Sequence, residues 1–498
     1  MLREKIRTVF SFHLALVSIL VLWVYVGSED AIWDADIWWH MRNAQYLLAH
    51  LKFPQVDTYS FTVAGSPWMN HEWLAEIPYL LAWRAGGLVG IFVLFLGLLE
   101  VNLLGIFYLA CKGSGNLKGS FLVTCFAMYL TVVSFGPRTI LFGYIYLIFL
   151  ILLLRRYRAK GQAPLWLIPP LFCLWINTHG SWLLGMIIFG IMIAAGLVEG
   201  QWGRVEAERW SPAQLRRLLI TLGASLVALF VNPFGYRLVM YPFDLVFRQK
   251  LNIAVIDEWA SVDFHDSRGK VVLILLAAVL LGALFSRIRW KLEELALAAF
   301  ALYAGLMHIR FLFLAAILLV PLLARMLDFL PPYEPEIDKP LLNAMIFGGV
   351  LMIMIARFPS GATLDQVVAN RFPANALTFV KSHGLPGRVF NRYMWGGYLI
   401  WYCPEVKTFI DSRTDIFEYA GVLKDYMDVE TLKNPLGVLD KYQIRYVLLP
   451  ADSPVAYLLK NHVNWSVIFS DHVSMIFERV SPSPAGASTQ LEEPRKNP

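Results

Sequence analysis

Long uninterrupted apolar runs, rather than short amphipathic periods, fill the first 357 residues of the chain. Eleven of them read as membrane-spanning helices, at about 9–27, 87–111, 119–135, 139–154, 163–176, 181–198, 217–231, 271–286, 291–307, 310–330 and 341–357. Each must be helical, because hydrocarbon offers backbone N–H and C=O groups no partner. Several are shorter than the roughly 17 residues of a full span, and these extend into their flanks or are partly re-entrant. A polar and aromatic loop, 28–75, separates the first two runs, and the acidic, proline-rich segment Pro331 to Pro340 forms a short connector. After residue 358 the period changes. Helices are predicted at 374–383, 393–402, within 417–441 and at 454–461, with strands at Arg388 to Phe390, Val406 to Ile410, Ile444 to Leu449, 466–470 and 473–478. This alternation predicts a small α/β domain over 358–480. Residues 481–498, rich in Ser, Pro, Glu and Lys, read as a disordered tail.

Composition narrows the class. Of 498 residues, 57% are apolar and 16% charged, and mean hydropathy is +0.55, which describes a polytopic membrane protein rather than a soluble, fibrous or disordered one. The four cysteines, Cys111, Cys125, Cys173 and Cys403, give no framework of disulfides, since only Cys403 lies in the tail domain. The net charge of +6 does not point to nucleic acid, because most Lys and Arg sit in short loops beside apolar runs. Those loops carry Arg3, Lys5 and Arg7, then Lys112 and Lys118, the run Arg155 to Lys160, Arg204, Arg209, Arg216 and Arg217, and finally Arg287, Arg289 and Lys291. With eleven spans and a cytoplasmic N-terminus all of them fall on one side, as the positive-inside bias requires. The first run is taken as an anchor, because Val26-Gly27-Ser28 is a poor cleavage site. Residues 1–357, with loop 28–75, are therefore expected to form the membrane domain and 358–480 an extracytoplasmic one.

The chemically unusual residues then gather on the opposite side. Asp34-Ala35-Asp36 follows the first span, and two carboxylates at that spacing suit a hard cation such as Mg²⁺ or Mn²⁺, whereas one alone can serve as a general base. The segment Ile37 to Leu51, which includes His40, has the apolar spacing of an interfacial helix. His71-Glu72 opens the run into the second span and lacks the second histidine of a zinc motif, so it reads as a further acid or ligand, or as a helix cap. Arg138, His179, Glu258, Asp263, His308 and Arg310 sit at external ends of spans or in external loops. Arginines there can grip a phosphate bidentately, or pair structurally with a carboxylate. In the tail, Phe409-Ile410-Asp411-Ser412-Arg413-Thr414-Asp415 reads as a strand ending in polar residues at a sheet edge, where open α/β folds bind ligands. Gly396-Gly397 lacks dinucleotide spacing and reads as a site of close helix packing.

A basic N-terminus, one span, a long external loop opening with acids, many further spans and an external C-terminal domain together resemble the GT-C superfamily of integral-membrane glycosyltransferases. The segments DADIWWHMRNAQYLL, VDTYSFTVAGSPWMNHEWLAE, WINTHGSWLLG, HIRFLFL, RYMWGGYLIWY and FIDSRTD look like those of a group of bacterial GT-C-like membrane proteins. The resemblance implies a multi-pass protein of the bacterial inner membrane that takes sugar from a polyprenyl-phosphate-type lipid donor. It also implies an acid of the first external loop, Asp36 or Asp34, as catalytic base or metal ligand. His40, His71, Glu72, Arg138, His179, Glu258, His308 and Arg310 are the expected substrate contacts, with membrane lipid as surroundings and no nucleic-acid partner. A transporter, or a non-catalytic envelope scaffold, is the rival expectation.

Overall fold

The computed structural model describes residues 9–286 and 288–480; Arg3, Lys5, Arg7, Arg287 and the tail 481–498 lie outside the described residues. The chain divides into two compact units, one of residues 1–34 and 70–365, the other of 35–69 and 366–498. The greater part of the first loop, which the sequence reading places with the spans, thus belongs to the same unit as the tail.

The first unit is helical. It holds α1 (Phe12–Ser28), α3 (Trp73–Ser114), α4 (Leu117–Thr131), α5 (Ile140–Lys160), α6 (Ile168–Thr178), α7 (Trp182–Ala195), α8 (Pro212–Ala228), α9 (Tyr236–Arg248), α10 (Lys250–Val255), α11 (Ser267–Phe285), α12 (Leu292–Met307), α13 (Leu312–Met326) and α14 (Pro340–Ala356), while α2 (Ile37–His50) belongs to the second unit. A helix occupies each of the eleven predicted runs. Among the described residues five stretches are long and apolar enough to cross a membrane unaided, namely α3, α4 with its 3₁₀ extension, α5, α11 and α13 with its 3₁₀ lead-in; there are six if α14 and Gly361–Ala369 (α15), bent by 67°, form one broken span. The protein is therefore a helical membrane protein.

Helix α13 is the core of this unit. Every residue from Leu312 to Ala324 is buried, against α3, α4 and α12. By contrast α11 buries only Gly269, Val272 and Leu275, while Leu273, Leu280, Leu281 and Leu284 face outward, as lipid permits. Helix α3, 42 residues long, is broken at Gly86 and Gly87, the latter at φ 58°. A Cβ on Gly90 would stand 1.9 Å from the Ala82 carbonyl oxygen, so the bend needs glycine there too. Across the bundle, buried Asn102 of α3 donates to the carbonyl of Leu141 on α5 at 2.9 Å.

At the C-terminal end of α5 the basic loops are tied down. Arg158 pairs with Glu293 at 3.0 Å, Arg325 with Glu294 at 2.5 Å and Arg289 with Glu206 at 2.5 Å. Three short strands lie here, β1 (Gly200–Trp202), β2 (Val205–Ala207) and β3 (Trp290–Lys291), in the order β1-β2-β3. Two or three residues each are too few to show a strand period, and the hydropathy pattern does not reveal them.

The second unit is an α/β fold. Its sheet has the order β4-β5-β7-β6, from β4 (Val389–Asn391), β5 (Tyr446–Pro450), β6 (Trp465–Ser470) and β7 (Ser474–Arg479), with β4 and β5 parallel and the other pairs antiparallel. The helices are α2, α16 (Ala374–His383), α17 (Gly396–Tyr402), α18 (Thr414–Tyr419), α19 (Val422–Glu430), α20 (Pro435–Lys441) and α21 (Pro454–Lys460). Apart from Val406 to Ile410, the predicted tail elements are present. That segment is not a strand: Thr408 forms an isolated bridge with Ser60 of the first loop, exchanging backbone bonds with Tyr59 and Phe61. Helix α2 forms where predicted, but its apolar face serves protein rather than lipid, since Trp38 packs on Phe372, Tyr398 and Tyr402. Glycine is required at the crossing with α17, because a Cβ on Gly397 would meet the Ala35 carbonyl oxygen at 2.3 Å.

Candidate functional site

The turn between α4 and α5 is built around Gly136. At φ 139°, its Cα faces the carbonyl oxygens of Ala31 and Trp33, 3.3 and 3.5 Å from where a Cβ would be. This close approach brings Arg138 beside buried Asp34, Nε to Oδ2 at 3.1 Å. The Tyr79 hydroxyl donates to the Arg138 carbonyl at 2.9 Å and fixes the turn from α3. The far side of the guanidinium pairs with Glu258. Arg138 thus holds two carboxylates from widely separated parts of the chain.

Glu258 lies in a 3₁₀ turn, Asp257–Trp259, pinned to the connection between α12 and α13: Ile309 N–H donates to Ala260 O at 3.0 Å and Val262 N–H to Leu306 O at 3.1 Å. His308 Nδ1 donates to the Trp259 carbonyl at 2.6 Å, leaving Nε2 as the acceptor of the neutral ring. The Arg310 guanidinium lies over the Trp259 ring, 4.2 Å from its centre. Burial alone would raise the Glu258 carboxyl, but Arg138, then Arg310 and Arg268, outweigh it and hold it below the ordinary carboxylate range. The carboxylates of Asp34 and Glu258 are thus compensated by Arg138 and Arg310, with Arg268 a third cation acting on Glu258.

One residue on, Thr139 starts a second cluster. Its hydroxyl donates to Glu72 Oε2 at 2.8 Å. Glu72 Oε1 lies 3.3 Å from His179 Nε2 and 3.7 Å from His71 Nε2. The Ser181 N–H donates to His179 Nδ1 at 2.9 Å, so the neutral ring carries its proton on Nε2, toward Glu72. His71 stacks on Tyr241 with ring centres 4.2 Å apart. Trp73 is fixed by Asn177, its indole N–H donating at 3.0 Å.

Among the candidates, Asp34, Arg138, Glu258, His308 and Arg310 are brought together, and His71, Glu72 and His179 gather at the adjoining residue. Asp263 pairs with exposed His265 in the loop and joins neither cluster. Asp36 and His40 belong to the second unit. There the Trp39 indole N–H lies 3.2 Å from Asp36 Oδ1 and 3.0 Å from the Ser412 hydroxyl, and buried His40 packs on Trp39. Thr139, Trp259 and Tyr79 escape a reading of charge and spacing, although the first two adjoin residues that it selects.

The tail motif requires a correction. Asp411 and Arg413 do not present themselves to a ligand at a sheet edge. They are buried, Arg413 meeting Asp411 at 2.7 Å and Asp57 of the first loop at 2.6 Å. Desolvation disfavours the guanidinium charge, and the two aspartates more than reverse this, raising its pKa. Among the described residues no three His, Cys, Asp or Glu side chains converge as metal ligands, and Asp34 and Glu258 share the Arg138 guanidinium.

No family model and no curated protein matches the chain. Among solved structures, the apo form of the oligosaccharyltransferase of Archaeoglobus fulgidus is similar over 89% of this chain and 70% of that one, at 12% identity and a TM-score of 0.52. ArnT of Cupriavidus metallidurans, bound to undecaprenyl phosphate, aligns over 95% of this chain and 99% of that one, at 12% identity and a TM-score of 0.49. The fold of the chain is similar to that of the oligosaccharyltransferase.

Proposed function

We propose that this protein is a membrane glycosyltransferase, moving a sugar from a polyprenyl-phosphate-type lipid to an acceptor hydroxyl at the extracytoplasmic face. The observation that carries the reading is the Asp34–Arg138–Glu258 group with Arg310 beside it, at the end of α5 opposite its basic terminus. A helix of 21 residues is about 30 Å long, roughly the hydrocarbon thickness. The group therefore stands at one membrane surface when the basic loops stand at the other. The positive-inside bias makes the basic side cytoplasmic, in an arrangement of eleven spans with an extracytoplasmic tail domain.

In the reaction proposed, the bond between the anomeric carbon and the lipid phosphate oxygen breaks, and the phosphate leaves with the electron pair. The acceptor oxygen forms the new bond at that carbon and gives its proton to a carboxylate. Arg138 and Arg310 supply planar donors for the departing phosphate. A phosphate drawing Arg138 to itself would loosen its hold on Asp34, which then takes the proton. A Mg²⁺ or Mn²⁺ ion held through Asp34 would have to displace Arg138 from it, so transfer is expected to persist in excess chelator.

The test is Asp34→Asn, with Asp36→Asn alongside, in full-length protein shown to be inserted and folded, assayed by release of lipid phosphate and by lipid-linked sugar pools. Loss of a general base predicts a fall of about 10²–10⁴-fold for Asp34→Asn. Turnover unchanged in Asp34→Asn and abolished in Asp36→Asn moves the base to the second acid, and unchanged pools in both refute the transfer reaction.

A further inference from the structure

Within the second unit, a cleft of about 400 Å³ opens between α2 and the segment that follows α17, inside the roughly 300–1,000 Å³ span of small-molecule sites. Arg42, Gln45, Tyr46 and His50 line it from the helix, Tyr59 from the first loop, and Lys407 from the tail. No carboxylate lines it. The nearby Glu405 accepts from the Cys403 thiol at 3.0 Å.

The cations here are uncompensated. Arg42 bonds only Gln45, at 2.8 Å, and Lys407 bonds only the Thr58 carbonyl, at 2.6 Å, so neither has a carboxylate partner among the described residues. His50 Nδ1 donates to the Tyr46 carbonyl at 2.9 Å, which turns Nε2 away from its own helix, and the two rings stack with centres 4.3 Å apart. Tyr46 is 39% exposed, leaving apolar ring surface in the cleft. The Tyr59 hydroxyl is anchored by donation to Asn43 at 2.8 Å. Fixed aromatic surface, an amide and two unpaired cations suit a ligand with both a ring face and a negative charge.

We propose that this cleft binds a short saccharide bearing an anionic group, carboxylate or phosphate. Binding is read directly, without sugar transfer, so the proposal stands or falls separately from the reaction assigned to the first unit. Full-length protein in lipid nanodiscs is titrated calorimetrically with trigalacturonate, glucose 1-phosphate, inorganic phosphate and neutral maltotriose. An acidic saccharide is expected to bind at least about tenfold more tightly than maltotriose, with that preference lost in Arg42→Gln and in Lys407→Gln. Tyr46→Ala is expected to weaken the acidic saccharides and leave inorganic phosphate unchanged. The two acidic sugars distinguish a carboxylate from a phosphate as the preferred charge. Equal binding of acidic and neutral sugars, wild-type affinity in the folded Arg42→Gln/Lys407→Gln double variant, or inorganic phosphate binding as tightly as either acidic sugar would overturn the proposal.

Discussion

Two arginines each hold two carboxylates, and their exposure separates their roles. The Arg413 side chain is 1% exposed and its acids are sealed in with it, whereas that of Arg138 is 26% exposed and Glu258 is similarly open. Removing a fully buried partner leaves charges without compensation, so Arg413→Ala is expected to destabilise the second unit by about 3–5 kcal/mol, measured by chemical denaturation. Arg138→Gln should cost less stability, because water reaches the group, and lower transfer instead. Glu258 adds a pH dependence. Its folded pKa is depressed, so its stabilising contribution is complete above the unfolded value, about 4.3, and fades as pH falls through the depressed one. Transfer by the wild type should hold at neutral pH and decline on the acid side, where the Asp34 base and Glu258 both take up protons, and Glu258→Gln should make that decline shallower. An identical acid limb in both would rule out Glu258 as one of its sources. The sequence shows these charges equally well; their burial, which sorts them, depends on partners hundreds of residues away, as with Asp57 and Arg413.

Element positions were more legible than their surroundings. The apolar runs and the tail pattern locate most helices and strands, because those periods depend on local burial. What α2 packs against was not legible, since an apolar stripe looks the same to lipid and to protein. The same limit explains Val406 to Ile410, a β-rich run whose bridging partner is in the first loop. Glycine spacing is a more direct signal. Gly397→Ala would press a methyl group into the Ala35 carbonyl, and a cost of about 1–3 kcal/mol in the denaturation of the second unit is expected. A variant as stable as wild type would mean that the crossing relaxes freely.

For the molecule as a whole, the path of the chain matters most. It leaves the helical unit after Asp34, returns at Asn70 and leaves again after Asp365. A fragment of residues 366–480 therefore lacks Trp38, Asp57 and the rest of 35–69, and should not unfold cooperatively by itself; joined to 35–69 it should. A cooperative transition from the shorter fragment would show that the tail completes its own core.

The sequence alone determined that this is a helical membrane protein, where most of its helices begin and end, and which charges lie at which ends, because the hydrophobic effect acts on local runs. Only the tertiary structure decided that Asp34, Arg138 and Glu258 share one ion group while Asp57, Asp411 and Arg413 are sealed into another. Pairing and burial depend on distance through space, which spacing along a chain does not encode.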